Sequence, residues 1–135
     1  MDDATKRAYI QARITKAEED LTTARDNLIH KHWRGAVNRA YYAAFHITSA
    51  VLLWHNVERA RHAGVQAALG EFLIKPGLIE PEFGQIYSKV RKIREAEDYE
   101  VLSVPLTGEE ATRIVDETDQ FVSRLKSYLH QVQAI

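Results

Sequence analysis

The chain has no cysteine. That absence removes a disulfide framework, a paired-thiol redox motif and any thiolate metal site, and it suits an intracellular protein. Long hydrophobic runs are missing too. The longest, AYYAAFHITSAVLLW from Ala40 to Trp54, is interrupted by His46, Thr48 and Ser49 and is too short to span a bilayer comfortably. It reads as a buried core helix, and no membrane partner is expected. The opening MDDATKRAYI starts on acids and lacks a basic region followed by an apolar core, so no secretory signal is visible and cytoplasmic residence is the expectation. Nor is there an excess of one charge. Eighteen Lys and Arg face 19 Asp and Glu for a net charge of -1, which argues against a broadly cationic nucleic-acid binder while permitting a local basic patch. The chain carries no HExxH, no GxGxxG and no phosphate-binding loop. Internal repeats, low-complexity segments and the alternating pattern of strands are absent as well.

What is present reads as helix. At 135 residues the chain is long enough for one domain, residues 1–135, with one core that buries roughly two thirds of its unfolded surface. In the first thirty residues Ile10, Ile14, Ala17, Leu21, Ala24 and Leu28 recur at spacings of four and three, a narrow apolar seam that Asp2 or Asp3 can cap. From Trp33 to Trp54 the apolar positions run nearly all round, so this helix must be covered on most sides and is the expected central element. Val65, Ala68, Leu69, Phe72 and Leu73 form a shorter pattern that ends at KPGLIEP, where Pro76, Gly77 and Pro81 stop and restart the chain. Phe83, Ile86, Tyr87, Val90 and Ile93 share the face of a fourth helix. VLSVPL is then a short apolar connection, held extended near Pro105. Thr107 with Glu110 three residues later makes a capping box for a last helix, whose seam is Ile114, Thr118, Phe121, Leu125, Tyr128 and Val132. The sum is an all-α, up-and-down bundle of four long helices plus one short helix.

Two stretches break the pattern of a plain bundle. VRKIREAEDYE, residues 90 to 100, puts Arg91, Lys92 and Arg94 ahead of Glu95, Glu97, Asp98 and Glu100 at the end of the fourth helix. A helix C-terminus carries partial negative charge, so this order works against the helix dipole. One reading is a solvated face in which Arg91–Glu95 and Arg94–Asp98 pair at i, i+4 for about 0.3–0.5 kcal/mol each. The other is a cleft in which Asp98 holds Arg94, Tyr99 stands beside it, and Lys89, Arg91 and Lys92 supply field for a phosphate-bearing partner. The second stretch is VNRAYYAAFH, where Asn38, Tyr42 and His46 make a polar stripe on an apolar helix. It reads either as a satisfied core network or as a device that orients the arginine cleft. No metal site and no cofactor are expected. His30 and His32 face different ways on a helix, and Gly64 with NVERAR breaks the register between His55 and His62.

Taken in order, RGAVNRAYYAAFHITSAVLL, RHAGVQAALGEFL and RKIREAEDY resemble the HEPN family of small helical-bundle domains, and the resemblance covers nearly the whole chain. It implies a homodimer whose arginine-bearing helices meet in a cleft. It also implies pairing with a small nucleotidyltransferase of the MNT type in a toxin-antitoxin system. Active members are metal-independent ribonucleases that use an arginine followed, four to six residues later, by a histidine. Arg94 matches the arginine, but Tyr99 stands where the histidine is due and no histidine follows until His130. Proton transfer near neutral pH suits a histidine with its pKa of about 6.5 and not an ordinary tyrosine at about 10. Cleavage would need His46 or His62 to reach the cleft, or Tyr99 in a strongly altered environment.

The reading that results is a dimeric module binding a nucleotide, RNA or a nucleotidyltransferase through a cleft of Arg91, Arg94, Asp98 and Tyr99. A ribonuclease toxin, with Arg94, Asp98 and Tyr99 catalytic, and a purely structural docking bundle stand as alternatives. The dimer is also expected on physical grounds, because a central helix apolar all round asks for more cover than a small bundle easily provides.

Overall fold

The computed structural model describes residues 1–102 and 104–135, and among these the regular structure is entirely helical. Helix α1 spans Asp3–Ile29, and Asp2 is its cap, accepting the Thr5 N–H at 2.7 Å. It ends where Lys31 turns into the left-handed region at φ 60° and the His32 N–H reaches back to the Asn27 carbonyl at 2.8 Å. Helix α2, Trp33–Trp54, follows at once and packs along α1. It is the centre of the bundle, touching α1, α4 and α5. Ala40, Ala43 and Ala44 are fully buried, small residues that let these neighbours approach closely.

Helix α3 is short, His62–Ala68, and runs on into a wider π-helical turn over Leu69–Ile74, where the Lys75 N–H bonds the Gly70 carbonyl five residues back. Gly77, at φ 83°, supplies the left-handed residue that the reversal after it requires. Pro81 sits at the start of α4, Pro81–Tyr99, a first-turn position where its missing N–H costs nothing. Helix α5 spans Gly108–Gln131. Thr107 caps it by accepting the Glu110 N–H at 3.1 Å. The seams read from the sequence face the core: Ile10, Ile14, Ala17 and Ala24 on α1, Tyr87 and Val90 on α4, and Ile114, Thr118, Phe121, Leu125 and Tyr128 on α5 are all buried.

One expectation changes. The cover argument for a dimer fails, because Ala36, Val37, Ile47, Val51 and Leu52 of α2 are already sealed by helices of the same chain. Exposed apolar side chains lie elsewhere, singly at Tyr9 and Ile29 and grouped at Tyr99, Val101, Leu102 and Val104, the last three 96%, 97% and 88% exposed. The VLSVPL connection opens as a turn at Val101 and Leu102 and carries no helix from Val104 through Leu106, around Pro105; its Ser103 lies outside the described residues. No described helix is long and apolar enough to cross a membrane.

Candidate functional site

Arg94 lies near the end of α4, and its side chain is only 12% exposed. The guanidinium sits over two aromatic faces contributed by α2, with 5.0 Å to the Tyr41 ring centroid and 5.3 Å to that of Tyr42. Consecutive tyrosines point about 100° apart on a helix, so a cation resting on the ridge between them meets both rings. One Nη of Arg94 reaches the Tyr42 hydroxyl at 3.5 Å, and Nε lies 3.1 Å from Asp98 Oδ2, one turn further along α4. That Nε is buried and its N–H points off the line to the carboxylate, so the pair is ionic without being a well-aligned hydrogen bond.

The carboxylate is shared. Asn38 Nδ2 approaches Asp98 Oδ2 at 3.5 Å, and the Asn38 side-chain oxygen accepts from Arg39 Nε at 3.2 Å and from an Nη at 2.9 Å. Arg39 in turn lies over the Tyr42 ring, 4.8 Å from its centroid, and donates to Asp20 of α1 at 3.2 Å. Burial raises the Asp20 pKa, with Arg39 opposing it. Two guanidiniums therefore share Tyr42. Alongside them a depression of about 290 Å³ is lined by Arg34, Asn38, Arg39 and Asp98, with Thr23 and Asn27 across from them.

His62, the first residue of α3, closes the other flank. Its Nδ1 makes a short hydrogen bond with the Tyr41 hydroxyl, and its ring packs on Phe45 at 4.8 Å and on Tyr41 at 5.5 Å. Burial lowers the His62 pKa, and Arg94 and Arg91 lower it further, so the imidazole is neutral at pH 7. Behind Tyr41 stands Tyr87, whose phenol burial pushes well up. Arg91 straps α4 to α3 by donating to Gln66 Oε1 at 2.7 Å, and it also pairs with Glu95 at 2.9 Å.

The geometry sorts the residues singled out in the sequence. Arg94, Asp98, Asn38 and Tyr42 come together, with Arg91 and His62 beside them. His46 continues the α2 stripe with its ring 6.3 Å from that of Tyr42, but it turns toward α1, 3.8 Å from Asp20. Burial, then Lys16, Arg13 and Arg39, lower its pKa to about 4, so this contact is not an ion pair at neutral pH. Lys89 pairs with Glu117 of α5 at 2.9 Å, and Lys92 is exposed; neither faces the cluster. Tyr99 is 74% exposed, and the phenols against Arg94 are those of α2. Sequence reasoning passed over Tyr41 as core and gave Arg39 and Gln66 no role. Arg39 had one signal, as a cation inside an otherwise apolar helix.

The HEPN domain family matches residues 10–128, with the whole arginine cluster inside the match. The chain belongs to the HEPN family. A Methanocaldococcus jannaschii protein named "Putative toxin MJ0605" is 40% identical over 126 residues, covering 93% of this chain and 92% of that protein. A second protein of that organism, "Putative toxin MJ0142", is 25% identical across 89% of this chain and 81% of its own length. A Thermotoga maritima protein named UPF0332 protein is 34% identical over 94 residues, 70% of this chain and 71% of its own. The HEPN chain thus carries its arginine in a nest of tyrosines with a neutral histidine at the edge, and without a histidine in the turn that follows Arg94.

Proposed function

We propose that this HEPN chain is a phosphate-binding module for a nucleotide or an RNA strand, acting as a dimer within a toxin-antitoxin pair. The observation that carries the reading is the state of Arg94. A side chain 12% exposed has its position fixed by two aromatic faces, while one Nη has no partner among the described residues and the other has only a 3.5 Å contact to a phenol. A structural arginine of that burial would have its donors taken up by carboxylates or carbonyls. One with donors to spare suits an anion that comes and goes. Arg34 and Arg39 beside the neighbouring depression add positive field.

The toxin context rests on the relatives named as toxins, and a small nucleotidyltransferase of the MNT type is the protein partner that goes with it. A second copy is the occupant that the exposed Tyr99, Val101, Leu102 and Val104 favour, because they extend from the same end of α4 that carries Asp98. A dimer across this surface would bring two arginine clusters toward one another.

The test is titration with mononucleotides and short RNA, comparing wild type with Arg94→Ala and Arg94→Lys. Alanine should weaken binding by roughly 10- to 100-fold, the loss of charge-assisted hydrogen bonds worth about 1.5–3 kcal/mol. Lysine should restore only part of it, having no planar fork. Equal affinity in all three would overturn the reading.

The position of His62 favours a second reading, metal-independent RNA cleavage. In the tautomer whose Nδ1–H donates to the Tyr41 hydroxyl, the lone pair of Nε2 is left to take the proton of a ribose 2′-hydroxyl as that oxygen attacks the adjacent phosphorus. Arg94 would balance the charge gathering on the phosphoryl oxygens. The 5′-oxygen would leave with a proton from water, and a 2′,3′-cyclic phosphate would remain. Under this reading His62→Ala keeps RNA affinity and loses cleavage, and intact RNA after long incubation with wild type discards it.

A further inference from the structure

A second cationic surface lies along α2 from the arginine cluster. A depression of about 420 Å³ is bounded by Tyr9, Arg13 and Lys16 of α1, by Phe45 and His46 of α2, and by Arg59 from the segment leading into α3. Its cations are poorly neutralised. Arg13 is paired with Glu58 at 2.7 Å and also donates to the Ser49 carbonyl at 3.1 Å. Among the described residues Arg59 bonds only the Glu58 backbone carbonyl, at 2.8 Å, and it stacks on Phe72 at 6.0 Å. Lys16 has no carboxylate within 4 Å among the described residues. Among the described residues Glu58 is the one carboxylate bonded to any of these three cations, with Asp20 near enough to Lys16 to feel its charge. Burial first, and then the charges of Lys16 and Arg13, lower the pKa of His46 in the wall of this depression.

Aromatic surface lies within this field. Tyr9 is 51% exposed, and Phe45 packs against His46 at 5.4 Å and against His62 at 4.8 Å, so ring faces run from this depression back to the Arg94 cluster. Tyr42 and Ser49 are seven residues apart on α2, which separates the two cationic regions by about 10 Å along the axis. At about 3.4 Å per stacked nucleotide, that is a span of roughly three nucleotides. Cations that follow a backbone, interleaved with aromatic faces that accept bases of any sequence, are the physical requirements of a single-strand binding track.

We propose that the Tyr9, Arg13, Lys16 and Arg59 surface is a second subsite for single-stranded RNA, holding the strand a few nucleotides away from the phosphate at Arg94. It rests on the phosphate-binding reading of Arg94 and adds a length requirement to it. A strand that fills both regions binds more tightly than a mononucleotide, which reaches only the first.

The experiment measures affinity for a mononucleotide and for an eight-residue RNA as a function of salt. It compares wild type, Arg94→Ala, the double variant Lys16→Gln/Arg59→Gln, and Tyr9→Ala. Lys16 and Arg59 are exposed, so the double variant keeps the fold, which circular dichroism checks. It should bind the mononucleotide as wild type does, lose roughly tenfold for the octamer at low salt, and show a salt slope shallower by about 1.4, or 0.7 per phosphate contact removed. Tyr9→Ala should lower octamer affinity without changing that slope. Octamer affinity and slope unchanged in the double variant, with Arg94→Ala still impaired, would overturn the second subsite alone. Nucleotide binding indifferent to Arg94→Ala would overturn the reading beneath it as well.

Discussion

Replacing Arg94 by methionine separates a binding residue from a structural one. Methionine keeps most of the apolar stem that packs between Tyr41 and Tyr42 and removes the charge. The two ring contacts are worth about 0.5–2 kcal/mol each, the range from an exposed to a desolvated setting. The pair with Asp98 adds roughly 0.3–0.5 kcal/mol, an i, i+4 pair whose carboxylate is still 24% exposed. Against these stands a buried Nε without an aligned acceptor, whose desolvation costs about 1–3 kcal/mol. The terms nearly cancel. Arg94→Met should therefore unfold within about 1 kcal/mol of wild type in urea, at an unchanged m-value, while nucleotide affinity falls roughly 10- to 100-fold. A loss of 3 kcal/mol or more with affinity preserved would show that the guanidinium locks α4 to α2, and would refute the reasoning.

Other consequences can be checked with simple measurements. A methyl group at Gly108 would meet the Trp33 indole at 2.7 Å, so Gly108→Ala should lower stability by about 1–3 kcal/mol in a urea titration while leaving Arg94-dependent binding intact. His46, at about 4 when folded against about 6.5 unfolded, binds its proton more readily in the unfolded chain. Stability should therefore rise with pH across that interval, by at most about 3 kcal/mol for this group, and level off above it; His46→Asn should flatten the profile between pH 4 and 6.5. If the end of α4 is the dimer surface, Leu102→Glu should halve the sedimentation mass without changing helicity, and an unchanged mass removes this patch from the interface.

Much of the fold was legible because helical burial repeats with a short period. The α1 and α5 seams and the saturated face of α2 are local patterns, and each faces the core. The wide turn at Leu69–Ile74 was not legible, since an extra residue per turn leaves no distinct apolar signature. Within the site, periodicity decides the outcome for Arg94. Asp98, four residues on, comes back to within about 40° of it, whereas Tyr99, five on, lies about 140° away and is 74% exposed. The polar stripe on α2 was visible as a pattern, yet nothing local says that Tyr41 would turn its ring to the arginine. His62 lies 32 positions before Arg94, and only the reversal around Gly77 brings α4 back within reach of α3, where Arg91 bonds Gln66.

The wide turn has a consequence for how chain length can vary. Because α3 runs without a break into Leu69–Ile74, removing one residue there would let that turn close to ordinary pitch with the helix upstream facing nearly as before, and removing a second would swing everything upstream by about 100°. His62 would leave Tyr41, and Gln66 would leave Arg91. Length changes in this stretch beyond the one extra residue of the turn are thus coupled to the chemistry of a distant helix, and related sequences that keep the histidine should hold the count to within that residue.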